Sequence, residues 1–296
     1  MAQLVQLREQ IKAVQTTKKI THAVRLVSMS MYAKLEKLST PHNAYLRSIV
    51  VFFNSLSNRN PEWQHPIFNP DDLMDSKPLY IVVSTAKGLC GSLNANMFRF
   101  LDQSLFLQPH QTAEFIVIGQ RGIKYIKSKN WGEVIYAYQE LNSNNYMTIA
   151  EDIVDRIVSS NKGYSSVTFF GSYLQSFFHQ KPKKSVLLPL QRGGVNFYVD
   201  DKELENWAAT FGEEPIIEQP MEDLLEYAAT SCAHAFVLNI LFQSILAEHA
   251  ARFLAMDSST TNAEKYLEKL TLQYNKIRQA VITKEVAELS SNSFNG

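Results

Sequence analysis

At 296 residues, with 45% hydrophobic and 20% charged side chains, the chain has the composition of a globular protein of one or two domains. The 29 basic and 29 acidic residues cancel, so net charge selects neither nucleic acid nor a strongly acidic surface as partner. Two cysteines, Cys90 and Cys232, stand far apart without a CxxC pair, which gives no disulfide framework and no zinc site and fits a reducing compartment.

The amino terminus, "MAQLVQLREQIK", lacks the apolar core of a secretory signal. Leu4, Leu7, Ile11 and Val14 recur at spacings of three and four, and after a polar interval Val24, Val27, Met31, Leu35 and Leu38 resume a similar stripe. Residues 1–40 contain neither glycine nor proline, whose cost inside a helix is about 1 and 3 kcal/mol, so a very long helix is permitted. Continued past Pro41 through "NAYLRSIVVFFNSL", it reaches about 55 residues and roughly 80 Å. The same first 40 residues carry Arg8, Lys12, Lys18, Lys19, Arg25, Lys34 and Lys37 against Glu9 and Glu36. That excess suits either an acidic partner or a solvated helix face.

The middle of the chain changes character, and ten of the eleven glycines lie between Gly88 and Gly212. Runs rich in β-branched and aromatic residues, at 79–84, 115–119, 134–138 and 166–173, alternate with helix-like segments at 93–106, 120–129 and 147–161. This alternation predicts an α/β domain with a largely parallel, Rossmann-like sheet. Residues 185–190 and 195–199 are candidate edge strands, with Pro189 near a strand end.

Residues 221–295 again lack glycine and proline. Leu267, Leu270, Tyr274, Ile277 and Val281 follow spacings of three, four, three and four, the mark of a coiled-coil seam. "DSSTTN" (257–262) is a cluster of poor helix formers where a break could fall, and continuity is the favoured reading. No stretch reaches the roughly 18 consecutive apolar residues of a membrane span; 235–247, the richest, is interrupted by Asn239, Gln243 and Ser244. Any membrane association is therefore expected through a partner.

The predicted architecture has an amino-terminal shaft helix (1–60), an α/β domain (78–215) and a carboxy-terminal shaft helix (220–296). The two terminal helices bury their seams on each other as one long antiparallel coiled coil.

Candidate chemistry is sparse. "STAKGLCGSLNANMF" (84–98) places a glycine-bearing turn between strand and helix, yet Gly88, Gly91 and Ser92 match neither GxGxxG nor GxxxxGK followed by Ser or Thr. A tight turn accounts for it, with Gly88 and Gly91 supplying unusual backbone angles and Ser92 or Asn94 capping the helix. Cys90 has no committed base partner, so a nucleophilic role finds no support. The seven histidines show no metal-ligand spacing. "KPKK" (181–184) reads as a short solvated basic loop. The expectation is no catalytic residue, cofactor or metal on this chain.

Three separated segments, "QIKAVQTTKKITHAVRLVS" (10–28), "VVSTAKGLCGSLN" (82–94) and "LTLQYNKIRQAVITKEVAEL" (270–289), resemble the gamma subunits of F-type ATP synthases. The resemblance implies a rotor: a non-catalytic central stalk turning inside a ring of alpha and beta subunits and coupling ion translocation to their ATP chemistry. It further implies that the α/β domain meets the epsilon subunit and the membrane c-ring. With no transit-like extension at the amino terminus, the expected location is bacterial, peripheral on the cytoplasmic face of the inner membrane, with a processed organellar chain as the alternative. Carried over where the local sequence matches, Arg252, Arg278 and Gln279 are implied beta-subunit contacts, with Thr283 and Glu285 on the same segment and Lys87 facing an acidic loop of beta.

The chain departs from the family pattern at Ala86, Lys87 and Ser92 in the glycine turn, at Met31 and Ala33, and at "STTN" (259–262), where an aspartate is usual. Without the resemblance, a small-molecule enzyme with helical dimerisation arms, or a coiled-coil adaptor, would be the alternatives. The former predicts cofactor binding by the isolated chain, and the latter no assembly with ATPase subunits.

Overall fold

The structure is a computed structural model and describes residues 2–60, 62–63, 77–106, 113–158, 163–189 and 219–294. In chain order the elements are α1 (Ala2–Arg59), β1 (Pro78–Val83), α2 (Leu93–Phe106), β2 (Ala113–Ile118), α3 (Gln120–Lys129), β3 (Gly132–Tyr138), α4 (Tyr146–Val158), β4 (Ser166–Ser176), β5 (His179–Leu188) and α5 (Met221–Phe294). The breaker-free ends do form long helices. α1 runs 58 residues with Pro41 inside it, and α5 runs 74 without interruption.

The chain divides into two bodies, one formed by Met1–Ser30 with Arg252–Gly296 and the other by Met31–Ala251. The first is a helix pair. Lys18 Nζ lies 3.0 Å from Glu264 Oε1 and Arg25 Nη1 donates to Asp257 Oδ1 at 2.6 Å. Seven steps forward on α1 are thus seven steps back on α5, so the pair is antiparallel.

Its seam is more regular than the apolar residues alone suggest. On α1, residues 4, 7, 11, 14, 18, 21, 25 and 28 are shielded from solvent, an unbroken 3–4 alternation. The polar interval is therefore part of the seam, occupied by Lys18, Thr21, Arg25 and Ser28. Val27 and Leu38, expected on the stripe, are 63% and 46% exposed. The other three residues of that stripe stay shielded, Leu35 buried and Val24 and Met31 half-buried. Thr21 and Ser28 sit in the seam at low cost because each hydroxyl donates to its own helix, to the carbonyls of Lys18 and Val24.

On α5 the matching frame is 256, 260, 263, 267, 270, 274, 277 and 281. It passes through "DSSTTN" without a break. Ser259 and Thr260 donate to the carbonyls of Ala255 and Met256, so these weak helix formers bond within the helix.

The second body is a three-layer α/β/α sandwich on a five-stranded sheet of order β3-β2-β1-β4-β5. The first four strands are parallel and β5 is antiparallel to β4. Period-2 alternation sorts the side chains: Leu79, Ile81 and Val83 of β1 face one core, Tyr80 and Val82 the other. The first core is closed by α4, by residues 32–56 of α1 and by residues 225–250 of α5, and the second by α2 and α3. An 18-residue window of α5 is apolar enough to cross a membrane by hydropathy, and 67% of it is buried inside the protein. Its apolar character serves this core.

Two readings are corrected here. Residues 181–184 are not a loop but the middle of β5, with Lys183 paired opposite Gly171 and Pro182 opposite Ser172. An edge strand tolerates proline because its outer N–H positions need no partner, which is why "KPKK" resembles a turn and is not one. The candidate strand 185–190 is the end of the same β5, and 195–199 lies outside the described residues.

Candidate functional site

The sheet order makes β1 and β4 the neighbours from which the topology runs in opposite directions, the place where α/β folds usually hold ligands. The turn 84–92 leaves β1 at this point and is built from side-chain clamps. Ser84 Oγ donates to the Ile118 carbonyl at 2.8 Å and accepts from Gly122 N–H at 2.7 Å, tying β1 to the start of α3. Thr85 Oγ1 donates to the Lys87 carbonyl at 2.7 Å, while Asn94 accepts from Thr85 N–H and donates to Thr85 Oγ1. Asn94 therefore holds the turn instead of capping α2.

The left-handed conformations fall on Leu89 (φ 65) and Gly91 (φ 58), so Gly91 supplies the expected freedom and Gly88 does not. At Gly88 a Cβ would meet the tip of the Arg121 side chain, its Nη2 at 2.9 Å, which can move aside. Cys90 is buried with Leu93 and Ala251, its sulfur accepting from Asn94 Nδ2 at 3.3 Å. The thiol is thus a packed group at the mouth of the switch point. Among the described residues no cluster of His, Cys, Asp and Glu could hold a metal ion.

Lys87 projects from this turn with 80% of its side chain exposed, and its amine is 3.6 Å from Glu140 Oε1. Glu140, 51% exposed, follows β3 and has no sequence signal marking it as the partner. An exposed pair of this kind contributes well under about 1 kcal/mol to stability, so Lys87 is free to exchange partners at little cost.

The remaining predicted site residues are on α5. Leu270 is 4% exposed, and Leu267, Tyr274, Ile277 and Val281 are half-buried along the same line. Arg278, Gln279, Thr283 and Glu285 stand off that line, all exposed. Thr283 donates to the Gln279 carbonyl at 2.9 Å, which leaves its oxygen lone pairs outward. Arg252, half-buried, lies 26 positions earlier, about 39 Å along the axis. The structure therefore gathers four of the six predicted contacts on one exposed stretch, leaves Arg252 at a distance, and holds Lys87 in the sheet body.

This combination of helix pair and sheet recurs in known proteins. The family model described as ATP synthase matches residues 3–293. The chain belongs to the ATP synthase gamma-chain family. Among curated relatives, the ATP synthase gamma chain of Exiguobacterium sibiricum is 30% identical over 299 residues, covering 99% of each chain. That of Clostridium perfringens strain SM101 is 29% identical over 299 residues, covering 97% of this chain and 96% of the relative. Among solved structures, the rotor of the Euglena gracilis mitochondrial ATP synthase matches with a TM-score of 0.66 at 16% identity, over 95% of this chain and 99% of that one. The central stalk and c-ring structure of Tetrahymena thermophila gives 0.57 at 19% identity, over 81% and 98%. At these identities the structural matches speak for the fold, and the family membership rests on the sequence.

Proposed function

We propose that the chain is the central rotor stalk of an F-type ATP synthase, coupling ion translocation through the membrane sector to ATP synthesis and hydrolysis on alpha and beta subunits. The observation that carries this is the family match across almost the whole chain, 3–293, on a molecule whose two ends are helices of 58 and 74 residues. The chain is a non-catalytic subunit, and the reaction belongs to beta.

Torque transmission asks two things of such a stalk. The helices must not slide along each other, and their outer surface must differ from side to side. The heptad seam with its crossing ion pairs meets the first need. The second is met by asymmetric contacts: Arg278, Gln279, Thr283, Glu285, Arg252 and Lys87 touch beta at some rotary angles and release at others, biasing each beta subunit between open and closed states. Residues 1–60 and 220–296 serve as the shaft within the alpha/beta ring, and 78–215 as the domain that meets epsilon and the c-ring. The protein is membrane-associated through its complex, on the cytoplasmic face of a bacterial inner membrane.

Reconstitution tests the reading. The full chain is mixed with alpha and beta subunits from the same source, complexes are isolated, and ATP hydrolysis is compared with the mixture lacking it. One copy per hexamer with a large rise in turnover is expected. Competent alpha and beta subunits that form no complex with it would overturn the proposal.

A further inference from the structure

β4 and β5 outrun the rest of the sheet. The last pair between β1 and β4 joins Val82 to Phe170, and β4 runs on to Ser176, about 20 Å further at roughly 3.3 Å per residue. With residues 179–182 of β5 this stretch makes a two-stranded ribbon, which leaves the sheet at the same carboxy-terminal edge as the turn that carries Lys87. A bare ribbon is marginally stable, so its support matters. α1 supplies that support: the Phe177 ring meets the ring of Tyr32 edge-on at 4.8 Å, and Tyr32 is 5% exposed. Gln180 Nε2 donates to the Phe177 carbonyl at 2.6 Å and fixes the turn. Phe178, edge-to-face on Phe177 at 5.3 Å, is 70% exposed. The ribbon thus presents a positioned aromatic ring to solvent at its tip.

Its charge is one-sided. Residues 156–199 contain no Asp or Glu and six cations, Arg156, Lys162, Lys181, Lys183, Lys184 and Arg192, in a chain whose net charge is zero. Lys181 and Lys184 are exposed on β5 and have no ion-pair partner among the described residues. Strand alternation puts them on opposite faces, so a body lying along the outer edge reaches both. Beside Lys181 an open cleft, bounded also by Tyr173, Gln175 and Pro182, gives a side chain room to enter. Lysines and a proline on an edge strand discourage the addition of another strand. A partner on this edge therefore binds through side chains, by charge and an aromatic anchor.

We propose that the ribbon docks an acidic segment of the alpha/beta ring, with Phe178 as the apolar anchor and Lys181 and Lys184 meeting the carboxylates. This rests on the rotor reading and adds to it a contact element outside the shaft helices. Exposed ion pairs form and break at little cost, which suits a surface that meets successive ring subunits as the stalk turns.

Zero-length cross-linking tests the docking. The full chain, free and assembled with alpha and beta subunits, is treated with a water-soluble carbodiimide, which joins an amine only to a carboxylate it touches, and the links are mapped by mass spectrometry. Amide links from Lys181 or Lys184 to Asp or Glu of a ring subunit are expected in the complex, with a yield that falls at least about fivefold between about 50 and 500 mM salt. A complex in which these lysines link only to carboxylates of their own chain, or to none, would overturn the docking and leave the rotor reading standing. Failure to form any complex would overturn both. Phe178→Ser separates the anchor from the fold. Because the ring is mostly exposed, the free variant should melt within about 2 °C of the unaltered chain. In the complex the link yield at Lys181 and Lys184 should fall at least about threefold. An unchanged yield would remove Phe178 from the contact.

Discussion

Thr260 Oγ1 lies 2.9 Å from Thr21 Oγ1 across the helix pair, between residues 239 positions apart, and its one proton is shared between Thr21 and the Met256 carbonyl while Thr21 gives its own to the Lys18 carbonyl. It sits between two ion pairs, Lys18–Glu264 and Arg25–Asp257, so one heptad on each helix carries three polar crossings. Polar groups in a seam contribute little net stability, because the same positions filled by apolar residues would pack as well. They contribute register, since a slip of one heptad leaves each group facing the wrong partner.

The energetics of the threonine pair follow from the difference between losing one partner and losing both. Thr21→Val or Thr260→Val alone should cost about 1–2 kcal/mol by leaving the other hydroxyl less well served in a buried place, whereas the double variant should recover most of that loss. Urea unfolding of the four proteins measures the cycle. Additive losses would mean that the two hydroxyls act separately.

This polar heptad also marks what could and could not be read from the sequence. The α/β alternation was legible because strands and helices differ in period, and α2 and α3 fall on the expected 93–106 and 120–129. The carboxy-terminal seam was legible because apolar residues occupy its successive positions from Leu267 to Val281. The amino-terminal seam was legible only to Val14, since beyond it Lys18, Thr21, Arg25 and Ser28 hold the positions, and their partners Glu264, Thr260 and Asp257 are invisible until the helices are paired. β5 was hidden for a similar reason: a proline and three lysines mimic a turn, and only pairing with β4 makes them a strand. Candidate contact residues were legible by resemblance alone, for an exposed Arg278 or Gln279 leaves no periodic trace.

The seam makes a graded claim about depth. Leu270 is 4% exposed and Ile277 half-buried, so Leu270→Ala should cost about 2–4 kcal/mol and Ile277→Ala less. Ile277→Asp should exceed Ile277→Ala, because it adds a charge to the helix contact. Thermal melts of the full chain give the order, and an Ile277→Asp chain that melts like the unaltered protein would remove residue 277 from the seam.

His42 links stability to acid. It stacks on Phe242 with ring centroids 4.3 Å apart, and burial lowers its pKa below the ordinary 6.5, partly opposed by the Asn239 side chain. Below pH 6.5 the unfolded chain then binds the proton more readily than the folded one. The contribution of neutral His42 is complete above 6.5 and is lost as pH falls toward the folded value. His42→Gln should therefore show a smaller drop in urea midpoint between pH 7.5 and 5.5 than the unaltered chain. An identical drop in both would assign the acid sensitivity elsewhere.

The exposed stretch of α5 separates stability from coupling. Arg278 and Gln279 lie outside the seam, so Arg278→Ala with Gln279→Ala should shift the melting of the free chain by no more than about 0.5 kcal/mol equivalent. In the assembled complex the proposed beta contacts predict that the same double variant lowers ATP turnover several-fold, through loss of the guanidinium and amide donors. Thr283→Ala should have a smaller effect, since its hydroxyl proton is already given to the Gln279 carbonyl and only an acceptor remains to offer. Steady-state hydrolysis by reconstituted complexes, paired with melts of the free variants, decides between the two roles. Unchanged turnover with unchanged melting would leave these side chains as solvated surface, and lost turnover with a lowered melt would return them to the seam.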